Sequence, residues 1–405
     1  MESFEHILQQ LHLSYLYARK NKRNTNGQLR FEINHETHLY ELASAIHKRR
    51  FKPLPCIAFI IHKPIMREIF ASEFRDRIVH HLIFRCINPI VDRKLINDTY
   101  SCRKGKGTLY GIERVKQFMR SASLNYSKET FFLKLDIEAY FMSMRHEVIF
   151  SKVEALLPED KLSYLGISRE TLIYLLRQTI FDDVAGNCRI KGSRDDWKAL
   201  PQTKSLFNYP GDIGVPIGNL TSQLFGNVYL SDFDHFVKKK LKIKHYGRYV
   251  DDMIFFHEDR QFLESIIPCL GEELAKVGLK IHPKKIVLKS IDEGIPFLGQ
   301  VIKPHRAYVG NRTKNNFFQA IQKINALLAV IPEVSWRQMC DIRSTLNSYL
   351  GIMQHANSFN LRKSMIGKLI GRFFDFFLVD EQCKRVIINH YFWEWHFSPS
   401  YRFIN

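Results

Sequence analysis

Two apolar, strand-like segments that carry aspartates constrain the fold of this chain more than any other feature. Residues 131–136, FFLKLD, end in Asp136, and residues 246–256, YGRYVDDMIFF, hold Asp251 and Asp252 at their centre. β-branched and aromatic residues predict strands in both segments, and a carboxylate within an apolar strand is costly unless it is paired or bound to a cation. Successive strand residues point to opposite faces, so the adjacent aspartates reach one place only in a tight turn.

The adjacent aspartates admit two interpretations. Such a dipeptide is common in ordinary β-turns, and on the dipeptide alone a turn and a metal site are equally supported. Asp136 favours the metal site, because three carboxylates on neighbouring strands repel one another unless a divalent cation binds them. Oxygen ligands favour Mg²⁺ or Mn²⁺. The set predicts two-metal phosphoryl chemistry with ions roughly 4 Å apart, which polymerases and many nucleases share.

The charge of the chain points to a polyanionic partner. Lysine and arginine number 60 against 41 aspartates and glutamates, which gives a formal net charge of +19. This balance is typical of nucleic-acid-binding proteins, although a merely basic soluble protein has it too. The seven cysteines form no CxxC pair, which fits reduced thiols in a cytoplasmic protein. No apolar run approaches the roughly 20 residues of a membrane helix, so no membrane partner is expected.

The order of predicted elements indicates an α+β fold. Helical periodicity is found at residues 1–55, 71–95, 145–180, 218–241, 260–278 and beyond 310, and strand-like runs at 57–61, 130–144, 246–256 and 294–302. Residues 181–214 are predicted to be a long loop. An antiparallel sheet with helices on one face fits this order. We expect a helical lead-in at 1–60, a central part at 61–305 and a helical C-terminal part at 306–405.

The motifs YVDD, LDIEAYF and FLG resemble those of the reverse transcriptases and follow one another in the family's order. The resemblance covers about residues 60–310. It implies a right-hand polymerase with fingers, palm and helical thumb, which makes cDNA on an RNA template from dNTPs. It further implies that Asp136, Asp251 and Asp252 hold two Mg²⁺ ions, with the Ile137 backbone carbonyl as an extra ligand.

Other residues match the family's substrate contacts. The resemblance assigns Lys63, Arg67, Phe141, Ile217, Gly218, Gln223 and Lys284 to the dNTP, Lys285 to protonation of pyrophosphate, and Phe297, Leu298 and Gly299 to the primer grip. The basic loop with Arg103, Lys104 and Lys106 is predicted to contact the template RNA. A bulky Phe141 ring excludes a ribose 2′-hydroxyl by clash. Simpler interpretations stay open: a core aromatic at Phe141, surface charges at Lys63 and Arg67, and a solvated pair at residues 284–285.

A narrower resemblance lies in PIGNLTSQLFGNVYL, KSLFNYPG and NSYLGIMQHANS. These segments are similar to the diversity-generating retroelement reverse transcriptases of bacteria and phages, and they extend the likeness to about residue 365. Such enzymes act with a template RNA and a small basic helical accessory protein, and they copy adenines unfaithfully. Defence-associated enzymes, which act with a noncoding RNA, and retron enzymes share the same core and stay as alternatives. A scaffold that binds nucleic acid without catalysis is the alternative of another class.

Overall fold

The structure, a computed structural model, describes residues 2–20, 25–62, 65–157 and 165–389. The chain divides into two compact units, Met1–Ser123 with Lys128–Lys289, and Leu124–Ser127 with Ser290–Asn405. The division thus falls between residues 289 and 290, and residues 1–60 belong to the first unit. The functional division at 60 and 305 stays a prediction. The aromatic segment 390–405 lies outside the described residues.

The first unit contains ten α-helices and seven strands within its described part. The helices are α1 Phe4–Arg19, α2 Asn26–Ile33, α3 His35–His47, α4 Phe74–Lys94, α5 Thr108–Ala122, α6 His146–Glu154, α7 Arg169–Ile180, α8 Leu220–Tyr229, α9 Ser231–His235 and α10 Arg260–Ala275. The strands are β1 Cys56–Ile61, β2 Arg67–Ala71, β3 Phe131–Leu135, β4 Cys188–Ile190, β5 His245–Tyr249, β6 Asp252–His257 and, at the boundary, β7 Val287–Ser290. The predicted α+β class is confirmed.

A four-stranded sheet in the order β5-β6-β3-β7 carries the three aspartates. β6 pairs antiparallel with both β5 and β3. Phe132 and Leu133 point to opposite faces, and both are fully buried. The reason is that α5 packs against β5 and β6, while α10 packs against β3 and β6. The expectation of helices on one face was therefore wrong, and the near-continuous apolar runs reflect a sheet covered on both faces.

A second sheet, in the order β2-β1-β4, lies in the same unit. β1 and β2 form an antiparallel pair, and β4 adds to β1 in parallel. Segment 181–214 was predicted to be a loop, but it contains β4. The buried carboxylate of Glu68 in β2 fixes this segment, because it accepts hydrogen bonds from Trp197 Nε1, Ser205 Oγ and the Leu206 amide, each at 2.7 Å.

The second unit is mainly helical. It contains β8 Ile295–Phe297, β9 Gln300–Lys303, β10 Arg306–Val309, α11 Asn311–Val330, α12 Trp336–Met353, α13 Phe359–Ile366, α14 Phe373–Phe376, β11 Phe377–Val379 and β12 Val386–Ile388. The predicted strand pair near residue 297 and the helices after 310 are confirmed, whereas the hairpin β11-β12 was not predicted. Within the described ranges, no helix has both the length and the apolar character needed to cross a membrane.

Candidate active site

A tight hairpin turn between β5 and β6 places the adjacent aspartates where these two strands meet, at one end of the sheet. Tyr249 pairs with Asp252, so only Val250 and Asp251 form the turn. Val250 has a φ of +57°, a left-handed conformation that is strained for a β-branched residue. Strain of this kind persists only when the surroundings enforce it. The tight turn predicted for the aspartates is present.

A buried ion pair enforces the conformation of this turn. The Arg248 and Asp234 side chains are fully buried and bond to each other at 2.7 Å. Asp234 also accepts bonds from the hydroxyls of Tyr246 and Thr99, at 2.6 and 3.0 Å. Arg248 Nη1 in turn donates to the Val250 carbonyl at 2.9 Å. The sequence interpretation missed this pair, although an arginine inside an apolar strand is a signal of a buried carboxylate partner.

Asp136 follows β3 and faces the hairpin. The last pair in the register of β3 and β6 is Leu135 with Met253. Extended by one and two residues, the same register sets Asp136 opposite Asp252 and Ile137 opposite Asp251. On its other side, Ile137 forms an antiparallel bridge with Ile281 in which the neighbouring residues carry the hydrogen bonds. The Ile137 carbonyl therefore points away from that bridge and toward the hairpin. This orientation suits the predicted ligand role of Ile137, which stays a prediction.

Two lysines bind the outer carboxylates. Lys285 Nζ lies 2.6 Å from Asp136 Oδ1, and Lys134 Nζ lies 3.2 Å from Asp252 Oδ1. Lys284 is exposed beside Lys285 in a short turn of helix at residues 283–285. The sequence interpretation named Lys285 but missed Lys134. A signal for it existed, because Lys134 and Asp136 are two residues apart and share one face of the strand.

The surroundings of Asp251 disfavour the charged form of its carboxyl. Burial, followed by the neighbouring charges of Asp136 and Asp252, raises the pKa of its carboxyl to about 6. Across the described ranges, no three His, Cys, Asp or Glu side chains stand close enough together to hold a metal ion, and two of these carboxylates point to lysines instead. The donor set nevertheless fits a divalent cation. A charged, buried Asp251 near two other carboxylates is electrostatically unfavourable, and a bound cation relieves this cost.

The predicted dNTP residues lie in several parts of the first unit. Arg67 is exposed at the start of β2, and Lys63 lies outside the described residues. Ile217 and Gly218 run beside β2, where the Phe70 amide donates to the Ile217 carbonyl at 3.3 Å. Gly218 has a φ of +125°, which only glycine adopts readily. Their dNTP contacts stay predictions.

Phe141 lies in a short helical turn at Tyr140–Ser143, and Gln223 lies on α8. Phe141 is partly buried, and its ring centroid lies 5.3 Å from that of Tyr140. The core role and the steric-gate role are both compatible with this position. Gln223 is exposed on α8 and accepts a bond from the Cys102 thiol at 3.0 Å. Its predicted role at the dNTP is untested by this contact.

The basic loop before α5 contains one lysine that faces solvent and two engaged cations. Arg103 donates to Asp92 Oδ1 at 2.6 Å and to the carbonyls of Ile96 and Thr99 at 2.7 and 3.1 Å. Its side chain is only 7% exposed, so the geometry disfavours the predicted RNA contact of Arg103. Lys106 bonds to Asn97, and Lys104 is exposed. The template role of this loop stays a prediction.

The FLG motif forms the β8–β9 hairpin of the second unit. Phe297 is buried and pairs with Gln300, and Leu298 and Gly299 have φ values of +47° and +84°. The Gly299 carbonyl accepts a bond from the Gly310 amide at 2.9 Å. The motif thus forms a two-residue turn. Its role as a primer grip stays a prediction.

Comparisons with known proteins identify the family. The model described as "Reverse transcriptase (RNA-dependent DNA polymerase)" matches residues 61–302. A search of curated proteins finds no match. The telomerase of Candida albicans, solved with a TWJ fragment of telomeric RNA, is 13% identical with a TM-score of 0.46; the match covers 80% of this chain and 57% of that one. Apo telomerase of Candida tropicalis is 12% identical with a TM-score of 0.47, covering 78% and 59%.

The family match covers more than half of the chain and includes the aspartate hairpin, Asp136 and the FLG motif. The chain spans less than two thirds of the telomerase chains that it resembles. The mixed helical and antiparallel architecture is that of a reverse-transcriptase-like polymerase, and enzymes of this family generally use divalent metal ions. The chain belongs to the reverse transcriptase family.

Proposed function

We propose that this chain is an active polymerase that makes cDNA on a structured RNA template by two-metal nucleotidyl transfer. One observation carries the proposal: Asp251 lies at the tip of a strained, internally braced hairpin, where burial and the charges of Asp136 and Asp252 raise the pKa of its carboxyl. A structural turn gains nothing from a buried carboxylate held near two others. A scaffold without catalysis therefore leaves the cost of the site unexplained.

The residues at the hairpin would hold two Mg²⁺ ions, with Mn²⁺ as a substitute. Asp136, Asp251 and Asp252 supply carboxylate oxygens, and Ile137 supplies its carbonyl. When bound, such ions lower the pKa of the primer 3′-hydroxyl and stabilise the leaving pyrophosphate. The Arg248–Asp234 pair keeps the turn fixed, so that the ligands need little reorganisation.

Lys285 is the chain's candidate for the general acid. Its ammonium group lies 2.6 Å from Asp136, and its side chain is about half exposed, so it lies near the reacting groups and is free to turn toward a leaving pyrophosphate. Lys284 lies next to it and is the second candidate. Arg67 and Lys63 would bind the triphosphate, and Phe141 would select deoxynucleotides.

Primer extension on an RNA template tests the proposal. The wild type should extend a DNA primer with dNTPs and Mg²⁺, and the Asp251→Ala/Asp252→Ala variant should not, because the metal ligands are lost. A melting curve of the variant shows whether it is folded. If the folded variant and the wild type give the same signal, the scaffold interpretation replaces catalysis.

The biological role that we propose is error-prone copying in a diversity-generating retroelement, in the bacterial or phage cytoplasm and together with a small basic helical accessory protein. The PIGNLTSQ segment supports it. An apolar Ile217 offers no hydrogen bond to align the nucleotide, so Ile217→Gln should lower misincorporation. An unchanged error spectrum would refute this explanation of fidelity.

An antiphage defence enzyme bound to a noncoding RNA is the alternative role. Sequencing the RNA and cDNA that copurify with the protein separates the two. Adenine-directed changes in the cDNA support the retroelement. A repetitive or structured cDNA supports the defence enzyme.

A further inference from the structure

A buried histidine joins three separate elements around the segment that precedes α8. His80, on α4, is 9% exposed. Its Nδ1 lies 2.8 Å from Thr221 Oγ1 on α8, and its Nε2 lies 3.3 Å from Oγ of Ser72, which follows β2. Ser72 Oγ in turn lies 2.8 Å from Asn219 Oδ1. Four polar side chains from two segments that are distant in sequence thus form one connected chain of hydrogen bonds.

The donors and acceptors fix the direction of this chain. Asn219 Oδ1 can only accept, so Ser72 donates its one hydroxyl hydrogen there. The Ser72 oxygen must then accept from His80 Nε2–H, which leaves Nδ1 as an acceptor for the Thr221 hydroxyl. Burial and the neighbouring charges of His81 and Arg77 lower the pKa of His80 to about 4. The neutral Nε2–H form that the chain of bonds requires is therefore the form present at neutral pH.

The hydrogen bond from Ser72 to Asn219 takes the place of the usual local cap of α8. Asn219 stands at the N-cap, where an asparagine side chain ordinarily accepts from the amides of its own helix. Its side chain makes no such bond here, because Oδ1 accepts from Ser72 instead. The start of α8 is thus held by α4 and the end of β2 and not by its own first turn.

Segment 217–218 is fixed on both sides by these contacts. On one side, the Phe70 amide bonds to the Ile217 carbonyl, and a Cβ added to Gly218 would lie 3.3 Å from Ile69 Cγ2 and 3.4 Å from the Phe70 carbonyl oxygen. On the other side, Asn219 and Thr221 are held through His80. The backbone of Gly218 has little freedom to move along or away from β2.

We propose that the His80 relay, defined as His80, Ser72, Asn219 and Thr221, positions the Ile217–Gly218 backbone and thereby sets how tightly the enzyme binds and discriminates dNTPs. The inference rests on the proposed function, since it takes residues 217 and 218 to be at the dNTP. His80 is a positioning residue in this account and touches no substrate. The relay acts by limiting the movement of a backbone that a nucleotide must contact.

Thr221→Val and Thr221→Ser form a matched pair for the test. Valine has nearly the shape of threonine but cannot donate to His80 Nδ1, whereas serine retains the hydroxyl. Loss of one buried bond should raise the KM for dNTPs about five-fold in Thr221→Val, with kcat and primer–template affinity changed by less than about two-fold. Thr221→Ser should stay within about two-fold of the wild type. Equal KM values for the two variants would overturn the proposal.

A double variant tests whether the bonds act as one unit. Ser72→Ala breaks the same relay, so Ser72→Ala/Thr221→Val should have about the KM of either single variant, and full additivity would indicate two separate structural effects. Melting temperatures identify variants that lose stability generally. The hydrogen exchange of amides 217–222 can be measured without activity, and it should be faster in Thr221→Val than in the wild type. If the wild type fails to extend a primer but the exchange is faster in Thr221→Val, the proposed function is refuted and the relay is retained. Unchanged exchange contradicts the relay.

Discussion

Replacing Asp251 with asparagine should abolish catalysis and yet stabilise the protein when metal ions are chelated. The pKa of the Asp251 carboxyl rises from 3.8 to about 6 through burial and the charges of Asp136 and Asp252. One pKa unit corresponds to about 1.36 kcal/mol. Because the side chain is not completely buried, we expect Asp251→Asn to raise the free energy of unfolding by about 2 to 3 kcal/mol at pH 7.5.

The pH dependence identifies the cause. A carboxyl whose pKa is raised in the native state lowers the free energy of unfolding by its full amount above about pH 6. This loss decreases as the pH falls from about 6 to 3.8, the pKa of the carboxyl in the unfolded chain. The gain from Asp251→Asn should therefore fall to about half at pH 5.0. Denaturant unfolding with chelator at both pH values measures it. Asp252→Asn is the control, since it removes the ion pair with Lys134 and should not stabilise. A neutral or pH-independent effect of Asp251→Asn would refute the electrostatic reasoning.

Three further predictions follow from individual contacts. Asp234→Asn leaves the buried Arg248 charge uncompensated and should lower the free energy of unfolding by about 3 to 5 kcal/mol in denaturant titrations; a loss below about 1 kcal/mol contradicts the bracing role. Lys285→Ala should slow single-turnover nucleotide incorporation by about 100-fold, and Lys284→Ala, the matched control, by much less; equal effects remove the distinction. Phe141→Ala should increase ribonucleotide incorporation relative to dNTPs, whereas an unchanged ratio assigns Phe141 to the core.

The elements that surround the aspartates were predictable because their signals are local. β3, β6 and α4 follow from apolar runs or helical periodicity, and the tight turn follows from two carboxylates within one strand-like segment. β4 and the β11-β12 hairpin were missed because three-residue strands have no measurable periodicity. The second helical layer on the central sheet depends on which helix packs where, which the order of elements does not determine.

The candidate site shows the same division. An aspartate in an apolar strand is visible in the sequence, so Asp136, Asp251 and Asp252 were found. The partners of the charged residues were not found, because the register and packing of distant segments determine them. Lys134 on β3 pairs with Asp252 on the neighbouring strand β6, and the Arg103 side chain is buried against Asp92. The basic composition of the loop therefore led to a predicted RNA contact for Arg103, whose guanidinium is bonded within the chain.

Single-nucleotide incorporation by Asp136→Asn tests the central claim most directly. Asp136 lies on a different strand from the hairpin and is bonded to Lys285, so its loss removes one predicted metal ligand while the YVDD turn stays intact. On an RNA template with Mg²⁺, the wild type should add the complementary dNTP, and the folded variant should be slower by at least about 100-fold. Incorporation by Asp136→Asn at the wild-type rate would contradict a three-aspartate metal site.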